Sequence, residues 1–295
     1  MPVKKAVIPA AGLETRFLPA SKAIPKEMIP VVDMPGIQYT VEEAVRAGIR
    51  DILIVTSWGK QAMEDHFDRA VELEMRLEKG GKDEELAEVR RLSEIADVHA
   101  VRQKEPLGLG HAVLMAKDHV GDEPFAVLLP DEIVPEPVGD ETALLDRMLR
   151  TYEERDASVV LVQEVPQEQL SSYGVISGEL VADDVYRIAE FVEKPPPEDA
   201  PSNLGSRGRY VLAPDIFDAI QRTTPGWGGE IQVTDAINIL AQEREVYAYV
   251  HRGPMFDVGK KLDYLKATVE LALRRADIGK QFREWLVEVA GRLEQ

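Results

Sequence analysis

The chain has no cysteine, which removes disulfides, thiolate nucleophiles and zinc–sulfur sites from consideration. Long hydrophobic runs are missing as well. No apolar stretch approaches the ~20 residues of a bilayer-spanning helix, and no charged-then-apolar leader ends in a cleavage site. Basic charge is in deficit, with 35 Lys and Arg against 53 Asp and Glu and a formal net charge of −18. A nucleic-acid backbone asks for a basic face, so this balance argues against general nucleic-acid binding. Internal repeats and low-complexity linkers are also absent. What remains is 295 residues, 44% apolar and 30% charged, ordinary for a folded soluble protein with chain enough for a large α/β core. The expected setting is the cytoplasm, with no membrane partner.

The charge is unevenly spread. Residues 1–60 hold 8 basic and 6 acidic side chains, a balance of +2, which leaves −20 for residues 61–295. A basic island in an acidic chain suits a small polyanion that neutralises bound cations, although N-terminal lysines and arginines are as readily plain surface residues. Charge alone does not choose between these.

Short apolar runs alternate with helical patterns. AVIPA (6–10) leads to a helix from about Ile37 to Ala47, then to DILIVTS (51–57). Further strands are expected at 98–103, 125–131, 157–165, 187–194, 209–214 and 245–251. ILIVT and FAVLLP are apolar throughout, as in strands covered on both faces by helices. Strand–helix alternation of this kind points to a Rossmann-like, doubly wound α/β fold, whose ligands bind at the carboxyl ends of the strands. A charged helical stretch spans about 61–98 and breaks at Gly80-Gly81. Two amphipathic helices are expected at about 261–293, parted near Asp277-Ile278-Gly279. Phe282, Trp285, Leu286 and Val289 would form one apolar stripe on the second, packed on the core.

The most telling segment is KKAVIPAAGLETRFLPASKAIPKEM (4–28). A strand runs through Pro9, Ala10 and Ala11 into Gly12, where a missing side chain permits unusual dihedrals and the close approach of a phosphate. Arg16 can then grip a phosphate bidentately, while Lys22 and Lys26 act as point charges. Pro19, Pro25 and Pro30 stiffen the connection. Each cation taken singly is more often a surface residue; the combination reads as a nucleotide-phosphate cradle.

Residue by residue, the chain resembles the bacterial UTP–glucose-1-phosphate uridylyltransferases, nucleotidyltransferases for sugar-1-phosphates whose signature is a G-x-G-T-R turn followed by a proline–lysine pair. The matching text is AAGLETRFLPASKAIPKEMIPVVD, then IQYTVEEAV, EDHFD, VRQKEPLGLGHAV, LLPD, YGV, FVEKP, GRYVL, GGEIQVTDAI and FDVGKKLDYLKA. Those segments cover nearly the whole chain in order. The resemblance implies a single nucleotidyltransferase domain over 1–295, with a mixed sheet, a helical insertion at about 61–98 and C-terminal helices at about 261–293. It also implies a reaction of UTP with glucose-1-phosphate, giving UDP-glucose and pyrophosphate.

Site roles follow from the same resemblance. Arg16 and Lys26 are the catalytic cations on the triphosphate, with Lys22 a weaker candidate. Ala11, Gly12, Gln103 and Gly108 are nucleotide-binding; Gln103 offers donor and acceptor to the imide edge of uracil, and Gly108 lets the base near the backbone. Gly174, Glu193 and Lys194 hold the sugar phosphate, with Gly174 presenting its amide where a side chain would collide. Asp131 and Asp257 hold one Mg²⁺. His111 is structural, Glu132 has no role, and Asp235 caps a helix in preference to lining the sugar pocket. Relatives are commonly homodimers or homotetramers.

This chain departs from the family pattern at Glu14, Met34 and Trp58, and the first matters most. Glu14 stands where the family turn has its second glycine. A carboxylate ~5 Å from a phosphate charge, at an effective dielectric of ~20, costs roughly 3 kcal/mol, about a hundredfold in affinity. The expectations are therefore an active UTP-dependent enzyme first, with an impaired sugar-nucleotide binder or a dTTP-using thymidylyltransferase as alternatives.

Overall fold

The computed structural model describes residues 1–12, 15–137 and 142–293. Among these, thirteen strands follow the chain: β1 (Lys5–Pro9), β2 (Pro30–Val31), β3 (Met34–Pro35), β4 (Asp51–Thr56), β5 (Asp97–Arg102), β6 (Phe125–Leu128), β7 (Glu132–Ile133), β8 (Val159–Glu164), β9 (Gly174–Ala182), β10 (Val185–Glu193), β11 (Leu204–Leu212), β12 (Tyr247–Val250) and β13 (Phe256–Asp257). Nine of them form one sheet in the order β5-β4-β1-β6-β11-β8-β12-β10-β9. β5, β4, β1 and β6 run parallel. β11 is antiparallel to both β6 and β8, and β10 to both β12 and β9. The sheet is therefore mixed α/β.

Apolar-throughout strands sit in the middle because both of their faces are covered. Val7, Leu53, Val55, Phe125 and Val127 pack on one face against Ile216, Phe217 and Ile220, and against Val233, Ile237 and Leu240. Ala6, Ile8, Ile52, Ile54 and Leu128 pack on the other against Ile37, Val41 and Ala44, and against Leu145, Met148 and Tyr152. Phe125 is fully buried and stacks on Phe217 at 5.1 Å between ring centroids; truncating such a ring costs about 3–5 kcal/mol.

The 61–98 stretch forms three helices, Ala62–Asp65, Val71–Lys79 and Asp83–Glu94, with the break at Gly80-Gly81 made by a left-handed Gly81, φ 65°. The last two helices are Lys261–Arg274 and Gly279–Leu293. The expected packing of the final apolar stripe on the core is not seen. Trp285 is 51% exposed and stacks on Phe282 instead, because this helix lies against the preceding helix and not on the sheet.

A two-stranded ladder away from the main sheet matters most for the site. β13 pairs antiparallel with β7, setting Asp257 opposite Glu132. The Val258 amide donates to the Asp131 carbonyl at 2.8 Å. Two carboxylates 126 residues apart in sequence are joined by this ladder.

Candidate active site

A cavity of about 480 Å³ opens where β1, β5 and β6 end. Pro9, Ala11 and Gly12 come from the end of β1, Gln103 from the end of β5, and Leu129, Pro130 and Asp131 from the end of β6; Lys26, Gly108 and Glu230 are among the others that line it. Carboxyl ends of parallel strands splay apart, leaving room for a ligand.

At its cationic end Lys26 Nζ donates to Asp131 Oδ2 at 2.8 Å. Burial would raise the Asp131 carboxyl, but the nearby charges of Lys26 and Arg16 and the bond from Lys26 outweigh it and hold it below its ordinary value. Asp257 Oδ1 accepts from the Gly259 amide at 3.0 Å, and its Oδ2 pairs with Lys260 Nζ at 3.1 Å. A Cβ on Gly259 would sit 3.0 Å from Asp257 Oδ1, 3.5 Å from Asp131 Oδ2 and 3.7 Å from Arg16 Nη1. Both carboxylates and the guanidinium thus lie within 3.7 Å of one point beside Gly259.

Lys260 carries the site onward. It donates to the Tyr173 hydroxyl at 2.9 Å. Burial pulls its ammonium down, but Tyr173 and Asp257 more than compensate and hold it above its usual value. The Tyr173 carbonyl accepts from the Lys194 amide at 3.0 Å. Lys194 Nζ pairs with Glu193 Oε1 at 3.0 Å and stands 4.0 Å above the Trp227 ring. Glu193 Oε2 accepts from Thr234 Oγ1 at 2.6 Å. At the other end, Gln103 Nε2 donates to the Gly108 carbonyl at 3.1 Å and meets His111 Nδ1 at 2.9 Å, so the amide is held in one orientation.

A sequence model of the family described as nucleotidyl transferase matches residues 5–273. The chain belongs to that family. It is 51% identical over 97% of its length to a UTP–glucose-1-phosphate uridylyltransferase of Bacillus subtilis, covering 95% of that protein. It is 50% identical to another so named from Staphylococcus saprophyticus, over 96% of this chain and 97% of that one. Among solved structures, a UTP-bound UGPase from Acinetobacter baumannii superposes with a TM-score of 0.89 at 45% identity, over 97% and 99% of the two chains. A UDP-glucose pyrophosphorylase complexed with UDP-glucose gives 0.83 at 42%, over 92% and 100%.

Within this nucleotidyl transferase the structure draws Ala11, Gly12, Lys26, Gln103, Gly108 and Asp131 around one cavity. Arg16 and Asp257 meet at its edge through Gly259. Gly174, Glu193 and Lys194 do not line it; they lie beyond Tyr173. Lys22 is exposed and lines no part of it. Glu14 lies outside the described residues.

The three glycines differ in what the protein itself requires of them. Gly12 takes no positive φ, and a Cβ there would meet nothing within 4 Å. Gly108 does need its freedom, φ 105°, but its Cβ would strike Glu230 and Ile231 at 2.7 Å, so the protein itself demands the glycine. A Cβ on Gly174 would meet Phe191 at 2.8 Å and Glu193 Oε2 at 3.1 Å. Capping by Asp235 is also corrected: the helix Val233–Glu243 has Gln232 at its N-cap and no side-chain cap bond.

Lys260, Tyr173, Trp227 and Arg207 were not singled out from sequence. Lys260 lies in the quoted FDVGKK run, beside Asp257, which was the available signal. Arg207 grips Glu132 bidentately at 2.6–3.2 Å and gives that residue a fixed place within the β7–β13 ladder.

Proposed function

We propose that this protein catalyses the reaction of UTP with glucose-1-phosphate to give UDP-glucose and pyrophosphate. A phosphate oxygen of the sugar attacks the α-phosphorus; the new P–O bond forms as the α–β bridge breaks and pyrophosphate leaves. The observation that carries the reading is a pair of linked contacts, Lys26–Asp131 and Asp257–Lys260–Tyr173–Lys194, brought side by side by the Val258–Asp131 backbone bond and running from the cavity at the strand ends to a second cationic group. The near-full-length likeness to uridylyltransferases supports the same substrates.

In this reading Arg16 and Lys26 hold the triphosphate and stabilise charge building at the α-phosphorus. Gln103, oriented by His111, reads the uracil edge, and Ala11, Gly12 and Gly108 shape the nucleotide's bed. Glu193, opposite Gly174 in the sheet, accepts hydrogen bonds from glucose hydroxyls, Gly174 presents its amide to the sugar, and Lys194 pairs with the sugar's phosphate. No protein nucleophile is required, since in-line placement of the two phosphates supplies much of the rate. The family's divalent ion fits: Asp131 and Asp257 are hard oxygen donors facing one point, as Mg²⁺ prefers. When bound there it would neutralise phosphate charge. Residues 1–295 act as one domain built on a doubly wound, Rossmann-like core. Among the described residues no helix is long and apolar enough to cross a membrane.

Pyrophosphate release tests the proposal. UTP, glucose-1-phosphate and Mg²⁺ should give turnover; EDTA should abolish it, and dTTP should serve less well. Silence with UTP, or faster turnover with dTTP, refutes it. Turnover that appears only in Glu14→Gly would assign the wild-type chain to the impaired class.

A further inference from the structure

A second cluster lies at the opposite ends of the strands from the cavity. Asp51 opens β4, His99 sits in β5, and His119 lies in the helix Lys117–Val120. One carboxylate oxygen, Asp51 Oδ1, is 2.7 Å from His119 Nε2 and 3.9 Å from His99 Nε2. The three potential ligand atoms all lie within 4.8 Å of one another. The two imidazole centroids are 4.9 Å apart, with planes tilted by 53°. A hydrogen bond accounts for the Asp51–His119 contact. It does not account for a second imidazole nitrogen turned toward the same oxygen from beyond hydrogen-bond range.

We propose that Asp51, His99 and His119 form a site for a borderline divalent transition-metal ion, zinc above all, distinct from the magnesium position at the strand ends. Zinc takes His nitrogen and carboxylate oxygen at about 2.0–2.2 Å in tetrahedral array, which sets donors about 3.3 Å apart. The present spacings bracket that value. The largest adjustment falls on His99, whose side chain is 53% exposed and turns cheaply. Asp51 and His119 are 34% and 26% exposed, so one side is open for water as a fourth ligand.

The backbone beneath the cluster is fixed. Asp51 and His99 lie on neighbouring parallel strands in register, Asp51 opposite Asp97 and Leu53 opposite His99. His119 is held by Lys5 on β1, whose Nζ donates to the carbonyls of His119 and Val120 at 3.0 and 3.2 Å and to Glu123 at 2.9 Å. Asp97, the register partner of Asp51, adds negative charge on the same face. Two nitrogen donors select against Mg²⁺, which wants oxygen ligands, and favour zinc, nickel or cobalt. The ion would staple the edge strand β5, paired among the described residues only with β4, to the body of the sheet.

The test uses the full-length chain without an affinity tag, stripped by chelator and kept in millimolar Mg²⁺. Zinc titrated calorimetrically should bind once per chain and raise Tm to a saturating value. Cobalt should give the visible bands of a four-coordinate site. His99→Ala and His119→Ala should each weaken zinc at least about tenfold, erase the cobalt bands and remove the Tm shift, with unchanged circular dichroism. His99→Asn repeats the loss should either alanine variant misfold. Asp131→Asn should leave zinc binding intact. No saturable binding in wild type, a hydrogen-bonded pair only, overturns the site. So does binding that survives both histidine changes or vanishes with Asp131→Asn.

Discussion

Lys194 holds a backbone angle that side chains seldom adopt, φ 45°, at a cost of order 1 kcal/mol or more. The bond from its amide to Tyr173, the pairing with Glu193 and the Trp227 ring beneath its ammonium offset that cost. If it grips the sugar phosphate, Lys194→Ala should raise KM for glucose-1-phosphate by roughly 10–100-fold, the worth of a charge-assisted hydrogen bond of about 1.5–3 kcal/mol. KM for UTP should stay within about threefold, leaving separate saturation curves for the two substrates to decide. Equal losses for both would assign Lys194 to general scaffolding. Glycine teaches the converse at this scale. Gly108 and Gly174 also keep clear of Ile231 and Phe191, a requirement the sequence does not display. A sequence shows that a Cβ is missing; it does not show what would have touched it.

At the scale of elements, the strand-end turn that carries Asp131 depends on one side chain from another strand. Arg209 of β11 is fully buried. Its Nε and Nη2 meet the Glu43 carboxylate, Nη1 donates to the carbonyls of Leu129 and Gly208, and Nη2 donates to the Glu132 carbonyl at 2.6 Å. Arg209→Met would strand the buried Glu43 carboxylate and take a bond from three carbonyls, of which those of Gly208 and Leu129 keep a backbone donor, and should cost about 3–5 kcal/mol, read from the urea midpoint. Adding Glu43→Leu removes the stranded charge but does not restore the lost carbonyl bonds, so stability should return only in part. Full recovery would mean the carbonyl bonds contribute nothing. The parallel half of the sheet was legible because apolar runs without alternation are a strong signal, and DILIVT and FAVL lie in place within a residue or a few. β9 was not read as a strand. Its sequence GVISGELVA is interrupted by Gly178 and turns exposed after its first three residues, which leaves no period for sequence to display. The ladder joining Asp131 to Asp257 is two residues long and likewise carries no pattern.

For the molecule as a whole, one-dimensional charge was a partial guide. The basic island in residues 1–60 supplies Arg16 and Lys26, but Lys194 and Lys260 come from the strongly acidic remainder, and folding alone unites the four. The same charge sets a contest in acid. Lowering pH from neutrality toward the pI of about 4.8 relieves the self-repulsion of a −18 chain and should stabilise it. His66 and His251 act oppositely. Burial first of all lowers both below the ordinary imidazole value, despite Glu42 beside His66 and the backbone bond at Pro254 beside His251. An unfolded histidine takes its proton near pH 6.5, while these two resist it until lower pH. Their contribution to stability is whole above pH 6.5 and is lost as pH falls through the folded values. Added salt screens the repulsion between exposed charges and acts far less on buried rings. In high salt, therefore, the wild-type chain should lose stability relative to His66→Gln/His251→Gln as pH drops from about 7 to 5. Denaturant melts of both proteins across that range measure the difference directly. Parallel curves would mean that both imidazoles protonate in the folded protein as freely as in the unfolded chain.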